Sequence, residues 1–504
     1  MATMVLGVDI GTSGCKAVLV DGRGSIVASA SRAYPTRRRP DGEVTQDSAD
    51  WLRAMAQAVR ECLRGSGSSD VTAMAVTGPA HYAVLCDGEG EPTGRVLLSS
   101  DGRPAVVADE LRARIGQRFF EITGEWLTAG WTFPQLVWLR RTDPLRWERV
   151  RSLLIVKDYV RFRLTGELAT DPSDAAGTGL YDQAAGDWSA ELAAEVGFEP
   201  QVLPPIRVAA DRGGRLTDEW ARRLGLPSGL PVAVGATDTL SELISVGAGH
   251  PGDAIVKIAS TGTIVCVTDR LRPHPALLAY PHAVAGRWYT AAATSTAATA
   301  YAWLRGALFS EDSPSFSAGY ERMNALAGRV PPGANGLLFL PFLEGERTPY
   351  WDSDLRGAFL GISSSHTRRD VCRAVLEGVA LSLRACRDTL AEAGIAIERP
   401  VYAGGGMASP VWRMILASVL GLGGRLAEPQ GPAVGAAYFA AALVGVAPAA
   451  DGDFLARPRS VPVRPRATWV GIYDELYDVY REAVSGTTSV GHQLAWLGRR
   501  SGAS

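Results

Sequence analysis

Two distant segments of the chain share one pattern. Leu6–Asp21 (LGVDIGTSGCKAVLVD) is an apolar run, a turn of Gly11-Thr12-Ser13-Gly14 and a second apolar run. Ala254–Thr268 (AIVKIASTGTIVCVT) returns to that order around Ala259-Ser260-Thr261-Gly262-Thr263. Apolar runs flanking small, hydroxyl-bearing turn residues predict strand, tight turn, strand. Two such hairpins far apart predict two similar domains facing one cleft. The boundary is expected near His250-Pro251-Gly252. A chain of 504 residues, 46% of them apolar, has the length and core material for this.

The elements around the hairpins fit an α/β chain. Val5–Val8, Cys15–Val20 and Ser25–Ser31 predict a β-meander, followed by a helix over Asp47–Leu63 capped by Asp47 or Ser48. Val71–Val76, Val84–Cys86 and Val232–Val234 are expected as strands, with helical spacing at Ala105–Ile115 and Pro144–Val150. Beyond the boundary, Arg369–Leu390 has a long helical pattern. Val401–Ala403 predicts a strand running into Gly404-Gly405-Gly406 and a helix over Pro410–Leu420. The expected division is 1–249, 250–450 and a tail, 451–504, that is Pro- and Arg-rich from Pro458 and helical at Tyr473–Val484.

Composition removes several classes. Lys and Arg number 51 against 53 Asp and Glu, so no basic surface for nucleic acid is implied. The six cysteines show no metal-ligand spacing and are expected as buried thiols in a reducing cytoplasm. No basic segment with a small-residue cleavage site precedes Leu6, so no signal peptide is expected. Ala433–Ala450 is Ala- and Gly-rich and contains Pro448; a close-packed core helix is expected rather than a membrane span.

Asp9 poses the chemical question, because it stands at the end of an apolar strand beside a Gly-Thr-Ser turn. Such a turn offers backbone N–H groups and hydroxyls that suit phosphate oxygens. A carboxylate there makes sense if a cation, usually Mg²⁺, lies between it and the phosphate. Lys16 adds positive charge beyond the turn. The plain alternative is an ordinary hairpin with a solvated Asp. No G-x-x-x-x-G-K-[ST] loop and no helix-opening G-x-G-x-x-G is present, which disfavours the two commonest nucleotide folds.

Asp9-x-Gly11-Thr12, Ser260-Thr261-Gly262 and Gly404-Gly405-Gly406 resemble the two phosphate turns and the adenosine loop of the actin, hexokinase and sugar-kinase superfamily. GAFLGISSSHTRRDVCRAVLEG (Gly357–Gly378) is similar to the second signature of the FGGY carbohydrate kinases. KDYVRFRLTGELATDPSDAAGT (Lys157–Thr178), FLPFLEGERTPYWD (Phe339–Asp352) and GGGMASPVWRMILA (Gly404–Ala417) also resemble that family, most closely its xylulokinase branch. The likeness runs from Leu6 to about Ala450. It implies two ribonuclease-H-like (actin-like ATPase) domains with a nucleotide cleft between them, and transfer of the γ-phosphate of MgATP to a sugar hydroxyl.

The resemblance assigns roles residue by residue. Asp238, in PVAVGATDT, matches the catalytic base; its plain alternative is a helix N-cap. Asp9 matches the Mg²⁺ carboxylate. Gly11, Thr12, Ser13, Ser260, Thr261 and Gly262 match the phosphate turns. Gly404, Gly405, Gly406 and Ser409 match the nucleoside loop, with Gly405 and Ser409 nearest the nucleoside.

The acceptor side departs from the family pattern. Gly-Gln-Met-His becomes Gly78-Pro79-Ala80-His81, leaving His81 to bond a sugar hydroxyl through either ring nitrogen. Trp-Asn-Asp-x-Arg becomes Ser99-Ser100-Asp101-Gly102-Arg103, without its aromatic wall. Thr239 stands where Asn follows the catalytic Asp, and Gln135 replaces the Lys of the first signature. His81, Asp101 and Thr239 are therefore the candidate sugar contacts, in a pocket expected to be wider or more polar.

D-xylulose or a related pentulose is the first acceptor expected, with another ketose, polyol or cyclitol as the alternative. A sugar-binding regulatory protein without turnover and a chaperone-like ATPase are the competing classes. Retention of Asp9 and Asp238 opposes the first, and the FGGY signature opposes the second. Neither nucleic acid nor membrane is expected as a partner; dimers are common among relatives.

Overall fold

The computed structural model describes residues 3–64, 71–309, 316–428, 430–446 and 460–501. Two mixed sheets organise the chain; the six strands of the first have counterparts in the second, which adds a seventh at one edge. In the first, Met4–Ile10 (β1), Gly14–Asp21 (β2), Ile26–Ala33 (β3), Val71–Thr77 (β4), Arg212–Arg215 (β5) and Pro231–Ala233 (β6) lie in the order β5-β6-β4-β1-β2-β3. The second holds Asp253–Ile258 (β7), Gly262–Thr268 (β8), Leu278–Pro281 (β9), Trp288–Ala293 (β10), Arg399–Ala403 (β11), Gly424–Ala427 (β12) and Ser460–Val463 (β13). Their order is β9-β10-β8-β7-β11-β12-β13.

In each sheet the first strand pairs antiparallel with its hairpin mate and parallel with the strand on its other side. The two hairpins anticipated from sequence are thus the centres of two copies of one topology, an actin-like pair of α/β domains.

Helices follow from capping and periodicity. Ser48–Cys62 (α1) is capped by the Asp47 carboxylate, which accepts from Ala49 N. Asp238–Ser245 (α2) follows β6, and its cap is Thr237, whose hydroxyl accepts from Leu240 N. The N-cap role is therefore Thr237's, leaving Asp238 as the first helical residue with its carboxylate free of that duty. Arg368–Glu392 (α5) packs on β8 and β10, Ala298–Leu308 (α3) and Phe316–Ala327 (α4) pack on α5, and Pro410–Leu420 (α6) shares the same core.

Pro432–Leu443 (α7) is the core helix expected from Ala433, buried through Ala441; positions 447–450 of that expectation lie outside the described residues. It packs on β1 and on α2, so a helix late in the chain closes the first sheet. The contact needs glycine. A Cβ at Gly7 would stand 1.8 Å from the Ala433 carbonyl oxygen, and one at Gly435 1.8 Å from that of Ser241. No helix among the described residues is long and apolar enough to cross a membrane. None of the six cysteines forms a disulfide, and all are buried.

Residues 460–501 join the second sheet and its core and end in the expected terminal helix, while 451–459 lie outside the described residues. β13 extends the second sheet as an edge strand, a place where Pro462 is tolerated. Ala467–Ser501 (α8), far longer than expected, lays Tyr473, Tyr477, Tyr480 and Val484 into the core beside α5 and α6. Arg373 Nη2 donates to Tyr473 Oη (2.7 Å), which donates to Glu377 Oε1 (2.8 Å), locking α8 onto α5.

Candidate active site

Both candidate phosphate turns are held through their carbonyls. Tyr34 Oη donates to the Gly11 carbonyl, and Gln46 Nε2 donates to that of Thr12 (2.8 Å). Gln46 is itself fixed by Trp51 Nε1 (2.9 Å). In a trans peptide each N–H points opposite the carbonyl before it. Pinning those carbonyls therefore turns the Thr12 and Ser13 amides outward, on residues that are exposed. In the second turn Ala297 N (2.9 Å) and Thr299 Oγ1 (2.8 Å) hold the Ser260 carbonyl, which turns out the Thr261 amide. Gly262 N is spent on Thr294 Oγ1 (2.9 Å).

Asp9 ends β1 beside the first turn, and its Oδ1 is buried without a hydrogen-bond partner. Burial, then the Asp238 and Glu242 carboxylates, push it up to about 8; Lys16 and Lys257 pull the other way. A partnerless buried carboxylate oxygen beside a phosphate turn fits a divalent cation. Among the described residues no cluster of three metal-ligating side chains exists. Asp9 Oδ1 is the group that would hold such a cation.

Asp238 begins α2 and donates its N–H to Gly78 O (2.8 Å) at the end of β4. Its Oδ1 accepts from Thr239 N (2.6 Å) and lies 3.3 Å from Thr239 Oγ1, so Thr239 steadies the carboxylate. Burial raises Asp238 above the ordinary carboxylate range, with Lys257 and the Thr239 amide opposing. A raised carboxylate is a better proton acceptor near neutrality.

Behind it, Thr237 N donates to Ser173 Oγ (3.2 Å), and Ser173 Oγ to Asp171 Oδ2 (2.6 Å). Lys157 Nζ lies 2.6 Å from Asp158, 3.0 Å from Asp171 and 3.0 Å from Asp174. Burial alone would lower Lys157; the three carboxylates outweigh it and hold the lysine above its usual value.

The expected nucleoside residues Gly405, Gly406 and Ser409 line a cleft of about 720 Å³ together with Tyr301, Tyr320 and Asn324. The three glycines differ. Gly404 has φ +89°, and a Cβ there would meet Ile258 O at 2.3 Å; one at Gly406 would meet Ile258 Cγ2 at 2.4 Å. At Gly405 a Cβ would meet nothing within 4 Å, so this glycine alone faces open space. Ser409 caps α6 by accepting from Trp412 N (3.3 Å). The α3 and α4 residues of the wall carry no motif and were not anticipated.

On the acceptor side both His81 nitrogens are engaged. Nδ1 donates to Gly177 O (2.8 Å), leaving Nε2 to accept from Tyr280 Oη (3.2 Å). Burial lowers His81 to about 4, so the ring is neutral. A sugar hydroxyl reaching Nε2 would have to displace Tyr280. Trp131 stacks on the ring at 4.1 Å, with Trp351 6.0 Å beyond it. Aromatic rings therefore stand beside His81 although Ser99 lacks the family's Trp; Trp131 carries no motif, and Trp351 belongs to the Phe339–Asp352 segment.

Asp101 is buried and fully occupied: it accepts from Val44 N (3.0 Å) and from Arg103 Nη2 (2.7 Å). It ties its loop to Val44 and Arg103. Tyr280 and Tyr289 come from β9 and β10 of the second sheet. Tyr289 Oη reaches Thr237 Oγ1 (3.0 Å), so both domains build the acceptor side.

Paired α/β domains with a candidate phosphate turn on each side and a buried carboxylate between them fit an ATP-dependent phosphotransferase. Residues 4–245 match the N-terminal domain of the FGGY family of carbohydrate kinases, and 256–444 its C-terminal domain. The chain belongs to that family and is a sugar kinase. It is 31% identical to the xylulose kinase of Escherichia coli over 87% of this chain and 89% of that protein. The structure of a xylulose kinase from Rhodospirillum rubrum superposes with a TM-score of 0.89 at 32% identity, covering 97% of this chain and 100% of the other. A gluconate kinase from Lactobacillus acidophilus, 23% identical, shares the fold with a TM-score of 0.91 over 98% of this chain and 100% of that one. The fold alone therefore does not select the acceptor.

Proposed function

We propose that this kinase phosphorylates a five-carbon ketose, with xylulose preferred, and that Asp238 is the base. The acceptor reading is carried by relatives named xylulose kinase that match most of the chain at 30% identity or more. Asp238 takes the proton of the attacking hydroxyl as its oxygen bonds to the γ-phosphorus and the bond to the ADP oxygen breaks. The Thr12, Ser13 and Thr261 amides hold phosphate oxygens, and the Gly405 face receives the nucleoside. Asp9 would hold the magnesium of MgATP, which supplies neutralisation of phosphate charge. His81, held neutral and flat against Trp131, shapes the acceptor pocket, and Thr239 and Asp101 support it. A cytoplasmic location fits the six free thiols.

A second reading, another ketose or a polyol, is favoured by Glu125. Its carboxyl is buried behind Tyr280 and pushed up by burial to about 8, which adds polarity beside the acceptor side. A coupled ADP assay over pentuloses, hexuloses, aldoses and polyols tests both. Xylulose should give the highest kcat/KM; a different preferred sugar establishes the second reading, and no stimulated turnover with any of them defeats both.

A further inference from the structure

Asp9 and Lys257 occupy the same place in the two repeats. Each is the penultimate residue of the first hairpin strand, and each pairs in the parallel ladder with the last residue of the neighbouring strand: Asp9 with Thr77, Lys257 with Ala403. Equivalent register on equivalent strands presents a carboxylate to the cleft from one domain and an ammonium from the other. Lys257 lies just ahead of the Ser260–Gly262 turn.

Its Nζ stands 2.8 Å from Glu242 Oε2. Glu242 is four residues beyond Asp238 on α2, hence on the same face of that helix. Lys257 also draws both Asp238 and Asp9 toward their charged forms.

Three carboxylates therefore surround the place through which a phosphoryl group must pass, and the described cations acting on Asp9 there are Lys16 and Lys257. The transferring group spreads negative charge over its equatorial oxygens, and a fixed cation aimed at them lowers the barrier. An ammonium has three N–H donors, so Lys257 can keep Glu242 with one and offer another to the phosphoryl group. We propose that Lys257 is a catalytic residue that contacts an oxygen of the transferring γ-phosphoryl, with Glu242 holding it in place. This rests on reading Asp9 and Asp238 as the reacting centre.

The test compares Lys257→Met, Lys257→Arg and Glu242→Gln in the full chain. Lys257→Met should lower kcat ~100-fold or more while the KM for sugar moves less than about threefold, and Lys257→Arg should recover at least about a tenth of the activity. A second readout is independent of turnover: with sugar present, Lys257→Met should bind MgADP as before but lose about tenfold or more in affinity for MgADP with aluminium fluoride, a mimic of the transferring group. Glu242→Gln should lose less than Lys257→Met on both measures. The proposal is overturned if Lys257→Met keeps kcat within about threefold of the parent. It is also overturned if the fluoride complex and MgADP weaken equally, or if Glu242→Gln matches Lys257→Met, which would make the pair structural. A parent protein that phosphorylates none of the sugars defeats the acceptor reading instead, and the fluoride measurement then decides Lys257 by itself.

Discussion

The amide of Asp238 donates to the carbonyl of Gly78 at 2.8 Å. Gly78 is three residues before His81, so the proposed base and the acceptor loop are joined through one main-chain bond. Thr77 Oγ1 adds a second tie by donating to Ala236 O (2.7 Å), and Ser241 Oγ donates to Thr77 Oγ1 (2.9 Å). The start of α2 and the end of β4 are thereby one rigid unit.

Replacing the carboxylate while keeping this unit isolates the chemistry. Asp238→Asn should cut sugar phosphorylation by ~10²–10⁴, the usual worth of a general base. Affinity for ATP, measured by calorimetry, should stay near that of the parent. Near-normal turnover would remove Asp238 from the mechanism.

Gly405 and Gly404 should separate binding from folding. Gly405→Val places a branched side chain in the open nucleoside cleft, so it should raise the KM for ATP far more than that for sugar, with little change in thermal midpoint. Gly404→Ala puts a Cβ against Ile258 O at a left-handed φ and should lower the thermal midpoint instead. Equal kinetic effects on both substrates in Gly405→Val would count against a nucleoside wall.

The contrast between these glycines shows what the sequence could carry. The two hairpins, the turn residues, Asp9, Asp238 and the triple glycine lie in short local patterns whose strand and turn chemistry is readable. Lys257 was passed over because its meaning lies in register: only the parallel pairing with Ala403 makes it the counterpart of Asp9. Trp131, Tyr280 and Tyr289 meet His81 and Thr237 across long chain separations, and no spacing in the sequence announces such contacts. The last segment misled for a similar reason. A Pro-containing Ser460–Val463 becomes a strand because β12 offers an edge.

Lys157 gives a stability prediction. It is fully buried among Asp158, Asp171 and Asp174. Lys157→Met would take the shared cation from three buried carboxylates, leaving Asp158 with Arg161 at 3.6 Å, and removing one partner of a buried ionic cluster costs about 3–5 kcal/mol. The thermal midpoint should drop sharply and soluble yield with it. An unchanged midpoint would show that the carboxylates are protonated in the parent and need no counter-ion.

Tyr280 tests whether the second domain helps shape the acceptor side. Its hydroxyl is the donor to His81 Nε2. Tyr280→Phe removes that bond and leaves the T-shaped contact with Tyr289 (5.6 Å) in place. Because the Tyr280 hydroxyl occupies His81 Nε2, its removal frees that acceptor, and the KM for sugar should fall by up to about fivefold, the worth of one hydrogen bond of ~1 kcal/mol, while that for ATP stays. A rise in both constants would point to altered domain packing.

The pH profile follows from two opposite shifts. Burial raises Asp238 above its ordinary value of 3.8. The base works when deprotonated, so kcat/KM should fall as pH drops through that raised value, giving an acid limb higher than a solvent-exposed aspartate would. His81 is lowered from 6.5 to about 4. It is neutral above that range, and its charging cannot produce a limb near 6.5. The KM for sugar should therefore stay flat from about pH 5.5 to about pH 7.5, where an exposed histidine contact would titrate. Steady-state kinetics in a constant-ionic-strength buffer series resolves the two. An inflection in the sugar KM near 6.5 that vanishes in His81→Gln would mean the imidazole opens to solvent and releases Tyr280 when the acceptor binds.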